Sequence, residues 1–219
     1  NAQIIALAVA STTVITINTE AQSIYLTGVW SGAGGGWTKL GTGTLYVKNT
    51  MTQTGTITIT EGTQNHGDGG AIGQVGVVAA FINNSSLVYQ RSNNTSSGYS
   101  ISGTGSVTNN GAAGQTNTLS GTNTFTGALR VMAGTLLAGS TSAFGSNAAV
   151  TLDNVAGVIL DTTGFNNSIG SLAGGGATGG NVTLGAATLT IGGNNTSTQY
   201  SGVISGTGTI TKTGSGTLT

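Results

Sequence analysis

One phrase of glycine, threonine and isolated apolar residues occurs three times in this chain, and it limits the fold more than any other feature. Gly202–Thr219 reads G-V-I-S-G-T-G-T-I-T-K-T-G-S-G-T-L-T. Ile101-Ser102-Gly103-Thr104-Gly105 repeats Ile204-Ser205-Gly206-Thr207-Gly208, and Gly28-Val29-Trp30-Ser31-Gly32 repeats Gly202–Gly206 with Trp in place of Ile. An internal repeat points to stacked units, each too small to bury an apolar face alone. The segments between the phrases have the same character. Thr54–Thr60 alternates threonine with Ile57 and Ile59, the period of a half-buried strand. From Gly111 to Gly214 short apolar-bearing runs succeed one another (Leu119–Thr126, Ala128–Leu137, Ala149–Leu152, Gly157–Leu160, Ser168–Leu172, Asn181–Leu184, Ala187–Ile191), each bounded by Gly, Asn, Asp or Ser.

These runs predict an all-β chain folded as a parallel β-solenoid, in which each strand pairs with its equivalent one coil away. Coils of roughly 20–25 residues at ~4.8 Å spacing give about 9–11 coils and a rod ~45–50 Å long. An antiparallel sandwich with many glycine turns is the competing architecture. Helix is disfavoured by the density of Gly, Thr, Val, Ile and Asn and by the lack of a sustained 3.6-residue apolar period. Forty glycines would fit disorder, but 37% of residues are apolar, which disordered chains lack. The complete absence of proline suits a backbone whose N–H groups are committed to ladders.

The reading divides the chain into residues 1–27, N-terminal strands that act as a cap or an inter-subunit pairing segment; residues 28–110, a first solenoid module with loop excursions at 61–76 and 91–98; and residues 111–219, a second module that ends inside a repeat. Ile4–Ala10 reads as a strand, since it lacks the basic flank of a signal peptide. A chain that stops within its own repeat reads as a piece of something longer.

Charge excludes several functions. Five basic and five acidic residues, a formal net charge of zero, provide no basic patch for nucleic acid and no polybasic membrane contact. No apolar run is long enough to span a bilayer. With no cysteine there is neither a disulfide nor a thiolate metal site, which is compatible with export.

The phrases resemble the passenger-associated β-strand repeat of bacterial autotransporters. Ser201–Thr219, with Lys212, Gly214, Gly216 and Leu218, matches the first half of that repeat. Leu119–Gly127 and Val131–Leu136 match its second half, and Ala143–Gly145, Ile169–Leu172 and Val182–Gly185 resemble the segments that usually come after it in the family. The likeness is dense over Ser100–Thr219, fair over Gly28–Thr63, weak over Gln64–Tyr99 and absent from Asn1–Tyr25. The resemblance implies a right-handed β-helix carried on the surface of a Gram-negative cell, or released from it, within a longer passenger, and it implies a stalk or scaffold without catalytic activity.

Candidate chemistry is sparse. Asp153 and Asp161 could approach across a turn as a carbohydrate-cleaving pair, but aspartates at strand ends usually make turns. Arg130 and Lys212 read as outward, solvated side chains. Glu61, His66 and Asp68 are the one set of clustered metal-ligand types, and a plain exposed loop is the favoured reading of them. Trp30 and Trp37 could stack on sugars, but the aligned phrases place them where Ile204 and Ile210 stand, which favours packing. Gly206-Thr207-Gly208 lacks the helix of a phosphate loop and reads as a turn. No catalytic, cofactor-binding or metal residue is assigned, and no cofactor is expected.

The expected function is a non-enzymatic extracellular scaffold, a segment of a surface stalk, adhesin or matrix fibre. Its partners would be copies of itself end to end, Ile4–Val9 of one completing Lys212–Thr219 of the next, or further repeats of a parent chain, with a surface glycan or host-cell receptor as ligand. A carbohydrate-binding or carbohydrate-cleaving module is the alternative, and threonine ranks such as Thr56–Thr60 also raise an ice-binding face.

Overall fold

The computed structural model describes residues 3–5, 9–10 and 12–219. Every strand pair among the described residues is parallel, and the chain winds as a β-solenoid of about nine turns. A nine-stranded sheet runs its length through Gln3–Ile5, Ser23–Leu26, Thr44–Val47, Thr63–His66, Ser86–Tyr89, Ser106–Asn110, Leu129–Ala133, Ala149–Leu152 and Ser171–Gly174. At ~4.8 Å per step this sheet is about 38 Å tall. The antiparallel sandwich is thereby excluded.

Among the described residues five further sheets complete the wall, two of them two-stranded (Thr50–Met51 with Gln74–Val75, and Val9–Ala10 with Trp30–Ser31). A five-stranded sheet from Val14–Asn18 to Ile101–Ser102 flanks the first half of the rod. A six-stranded sheet begins at Thr95–Ser97 and ends at Ile204–Ser205, and a three-stranded sheet joins Asn167–Ile169, Thr188–Ile191 and Thr209–Lys212. The wall thus changes composition near residues 95–119, while the long sheet passes the expected module boundary at 110/111. A register shift marks that point: Asn109 pairs with Val131 but Asn110 with Ala133.

The repeated phrase is a corner. In each copy the first glycine after the serine lies in the left-handed region, φ 123° at Gly32, 101° at Gly103 and 113° at Gly206, where a side chain is strained. The next strands belong to different sheets: Gly36–Leu40 to the five-stranded, Ser106–Asn110 to the nine-stranded, Thr209–Lys212 to the three-stranded. The phrase therefore encodes a bend between strands and not a fixed place in the coil. The turn reading of Gly206-Thr207-Gly208 holds.

Side chains alternate inward and outward, and the inward ones stack in ranks. One rank of the long sheet runs Ile24, Leu45, Gln64, Leu87, Val107, Leu129, Val150, Leu172; its neighbour runs Leu26, Val47, His66, Tyr89, Asn109, Val131, Leu152. All of these are buried, and Trp37, Phe81, Phe125 and Phe144 are among the largest side chains fully enclosed in the interior. Trp30 and Trp37 are both buried and meet edge to face at 5.6 Å, so packing is their role.

Both expected excursions contain strands of the wall. Thr63–His66, inside the expected loop 61–76, is a central strand of the long sheet, with Gln64, Asn65 and His66 buried. Its polar inward positions hid the alternation. Within 91–98, Thr95–Ser97 opens the six-stranded sheet and Arg91 is buried. Ala128–Leu137, read as one run, is two strands bent at Gly134, φ 67°. The segment Ile4–Val9 lies partly outside the described residues; Gln3–Ile5 and Val9–Ala10 are strands.

Candidate functional site

The residues with the most distinctive chemistry lie in the N-terminal half of the rod, on both sides of the strand Thr63–His66. Inside, a hydrogen-bonded chain crosses the core. Trp37 Nε1 donates to Gln64 Oε1 at 2.8 Å, which turns the amide of Gln64 so that its Nε2 donates to His66 Nε2 at 3.0 Å. That ring nitrogen must then be an acceptor, so the proton rests on Nδ1 and faces Tyr99 Oη at 3.2 Å. Tyr99 in turn meets Tyr89 Oη at 3.0 Å. Burial, and then the positive charge of Arg91, push the His66 pKa down to about 3. Burial raises Tyr89 to about 12 and Tyr99 well above its ordinary value. All three stay uncharged at neutral pH.

A second buried group is Lys39. Its ammonium donates to Gly41 O at 2.6 Å, Thr19 Oγ1 and Glu61 O at 2.9 Å, and Leu40 O at 3.2 Å. Desolvation lowers its pKa to about 8, against the opposing pull of Glu61. The carbonyls of two successive coils thus converge on one cation. Lys212 occupies the corresponding place in the last coil. It pairs in register with buried Ile191, so it faces inward, and its Nζ reaches Thr213 O and Gly214 O. The expectation of an outward Lys212 is corrected, since the alternation of strand Thr209–Lys212 sets its side, but its side chain is solvated as expected because it lies in the exposed last coil. Arg130 is outward as expected, held by Asp153 through Nε–Oδ1 at 2.8 Å and Nη2–Oδ2 at 2.9 Å.

Outside, Tyr25 and Tyr46 stack one coil apart, centroids 4.6 Å and planes 6° from parallel. Lys48 lies 5.7 Å from the Tyr25 ring centroid and pairs with Asp68 at 2.5 Å. Tyr25, Thr27, Lys48 and Ile4 line an open depression of about 250 Å³. Beside it, the turn 67–73 is clasped by Arg91, whose guanidinium donates to Ala71 O, Gly73 O and Gln74 Oε1.

The sequence candidates do not converge. Glu61 accepts from Gly41 N–H, His66 is spent inside the core, and Asp68 pairs with Lys48. The exposed-loop reading fails for His66, which is only 2% exposed. Among the described residues no group of three or more His, Cys, Asp or Glu is placed to hold a metal. Asp161 Oδ1 accepts from Thr163 N–H, an aspartate shaping its own turn, and Asp153 belongs to Arg130. Outward threonines Thr16, Thr38 and Thr58 form a rank that Ile82 then interrupts, so no long threonine array forms on that face. Lys39, Arg91 and the Tyr25–Tyr46 stack escaped the sequence reading. Lys39 had a usable signal, since it shares the parity of Trp37 across Thr38.

Comparison with known proteins agrees with the fold. The chain is 40% identical over 195 residues to the adhesin BmaC autotransporter of Brucella suis biovar 1 (strain 1330), a match that covers 78% of this chain and 6% of that protein. The chain therefore spans only a small part of the relative it matches. No family model matches the chain, and no solved structure matches it. A parallel solenoid, the repeated corner phrase and this identity together make the chain a β-helical repeat segment similar to part of an autotransporter passenger.

Proposed function

We propose that this chain is a rigid, non-enzymatic segment of a bacterial surface adhesin, which holds recognition surfaces at a set distance and orientation from the cell. The observation that carries this reading is the identity to an adhesin autotransporter, spread over a solenoid whose long sheet is unbroken for nine strands. A parallel ladder with a continuous apolar interior resists bending, because any bend must open both. The carboxylates fit the same reading: Glu61, Asp68, Asp153 and Asp161 are each engaged by a backbone N–H or a cation. Coils of a parent chain, or a second copy, would join this rod by the same parallel pairing; electron microscopy over a range of concentrations separates single rods from filaments.

The test displays the chain at a bacterial surface on an autotransporter carrier and scores attachment to host cells. A stalk supports attachment only when a recognition region is fused beyond it, and that attachment falls when a Gly/Ser linker replaces the 219 residues. Attachment by the chain alone would overturn the stalk reading.

One observation favours a second reading, glycan recognition at Tyr25 and Lys48. A stacked tyrosine pair beside an ion pair offers an apolar face and polar groups together. Because Asp68 already matches Lys48, a neutral sugar suits the site better than an acidic one. Binding on a glycan array that disappears in Tyr25→Ala would establish it; an array with no hits removes it.

A further inference from the structure

The coil that spans residues 106–119 carries two asparagines where the next coil carries Val131 and Leu136. On the long sheet Asn109 sits between Tyr89 and Val131; on the six-stranded sheet Asn117 sits between Thr95 and Leu136, with Leu160 and Val182 next in the same rank. Both asparagines are at least 95% buried. Asn109 Nδ2 donates to Ala133 O at 2.8 Å, but Asn109 Oδ1 and both amide atoms of Asn117 have no protein partner. These orphaned atoms belong to residues that line one small cavity, together with Tyr89, Arg91 and Gln115. Its volume, about 10 Å³ for the centre of a water-sized sphere, is room for a single water.

We propose that this cavity is a built site for one water molecule, which bridges Asn109 Oδ1 to the amide of Asn117 inside the solenoid. The ligand must both donate and accept, because an acceptor of Asn109 faces a site that also holds the N–H₂ of Asn117. Water does both. A cation would sit against the Arg91 guanidinium and the Asn117 donors, and an anion against two carbonyl oxygens. The site lies where the five-stranded sheet gives way to the six-stranded one and beside the register shift at Asn109/Asn110. A bridged asparagine pair fills the mismatch there, where apolar side chains of the neighbouring ranks do not.

A crystal structure of the chain at better than about 1.5 Å tests the occupant, and two variants test its energetic role. Water gives one peak at hydrogen-bond distance, ~2.7–3.2 Å, from Asn109 Oδ1 and from an Asn117 amide atom. Asn117→Leu then strands Asn109 Oδ1 and lowers Tm by about 3 °C or more. Asn109→Val with Asn117→Leu, the residues of the next coil, removes all three orphaned atoms but also the donor to Ala133 O, and so recovers part of the loss at most. A bromide-soak anomalous peak in the cavity, or oxygen contacts near ~2.4 Å, would overturn the proposal in favour of an ion. No peak, or an Asn117→Leu chain that melts higher than the parent, would overturn it as well.

Discussion

Acid should weaken this rod, and His66 sets the size of the effect. It is the single histidine of the chain. In the unfolded chain its pKa is the ordinary 6.5; in the folded core burial and Arg91 lower it to about 3. A base with a depressed folded pKa binds more protons when unfolded, so stability is complete above about pH 6.5 and is lost as pH falls toward about 3. The slope is about 1.4 kcal/mol per pH unit, which amounts to about 2 kcal/mol between pH 7.5 and 5 and on the order of 5 kcal/mol by pH 3. The geometry agrees with the direction, since a protonated ring would turn a donor toward the N–H₂ of Gln64, whose orientation Trp37 fixes. Urea unfolding at pH 7.5, 6 and 5, followed by the fluorescence of buried Trp30 and Trp37, measures it. With a slope of about 2–3 kcal/mol per molar urea, the midpoint should fall by roughly 0.7–1 M over that range. His66→Gln should be less stable at pH 7.5 but nearly flat from 7.5 to 5. A flat parent, or an equal fall in both proteins, would refute the assignment of the acid sensitivity to this ring.

Removing the Lys39 ammonium as Lys39→Met leaves Thr19 Oγ1 and the carbonyls of Gly41 and Glu61 without their donor; a loss of about 3 kcal/mol is expected in urea melts, whereas Lys212→Met in the exposed last coil should leave the midpoint unchanged. Gly36→Ala places a methyl group 2.0 Å from Thr56 O of the adjacent coil and should cost about 3 kcal/mol or prevent folding. Gly69→Ala meets no atom within 4 Å and should cost only the ~1 kcal/mol of its positive φ, read in the same melts. Arg91→Met should release the turn 67–73, seen as faster cleavage there by a broad-specificity protease with the remaining strands still protected.

The wall of this solenoid was legible because its determinants are local. Ile57 and Ile59 between threonines, or Leu189 and Ile191 between Thr188 and Thr190, declare a strand and its inward side within a few residues. The corner phrase could be recognised by repetition alone. Its position in the coil could not, since the same glycine bends lead into three different sheets, and the choice is made by which strand of the previous coil is there to pair with. Parallel register is a property of residues about twenty positions apart, and a single phrase carries no record of it.

Polar residues at inward positions account for most of the misplaced elements. Thr63-Gln64-Asn65-His66 lacks any aliphatic side chain, so its alternation looked like loop, yet Gln64 and His66 continue the ranks of Leu45 and Val47. Such residues enter the core only because distant partners arrive to meet them: Trp37 from one coil before, Tyr99 from more than one coil after. Burying a polar group without a partner costs more than a typical hydrogen bond returns, so the strand and its partners are specified together or not at all. The same logic puts Lys39 inside. Its parity with Trp37 was visible, but the cage of carbonyls from Gly41 and Glu61 exists only once successive coils are stacked. In a narrow solenoid the apolar ranks give the rod its continuity. The few buried polar groups distinguish one coil from the next, and so fix which coil stacks on which.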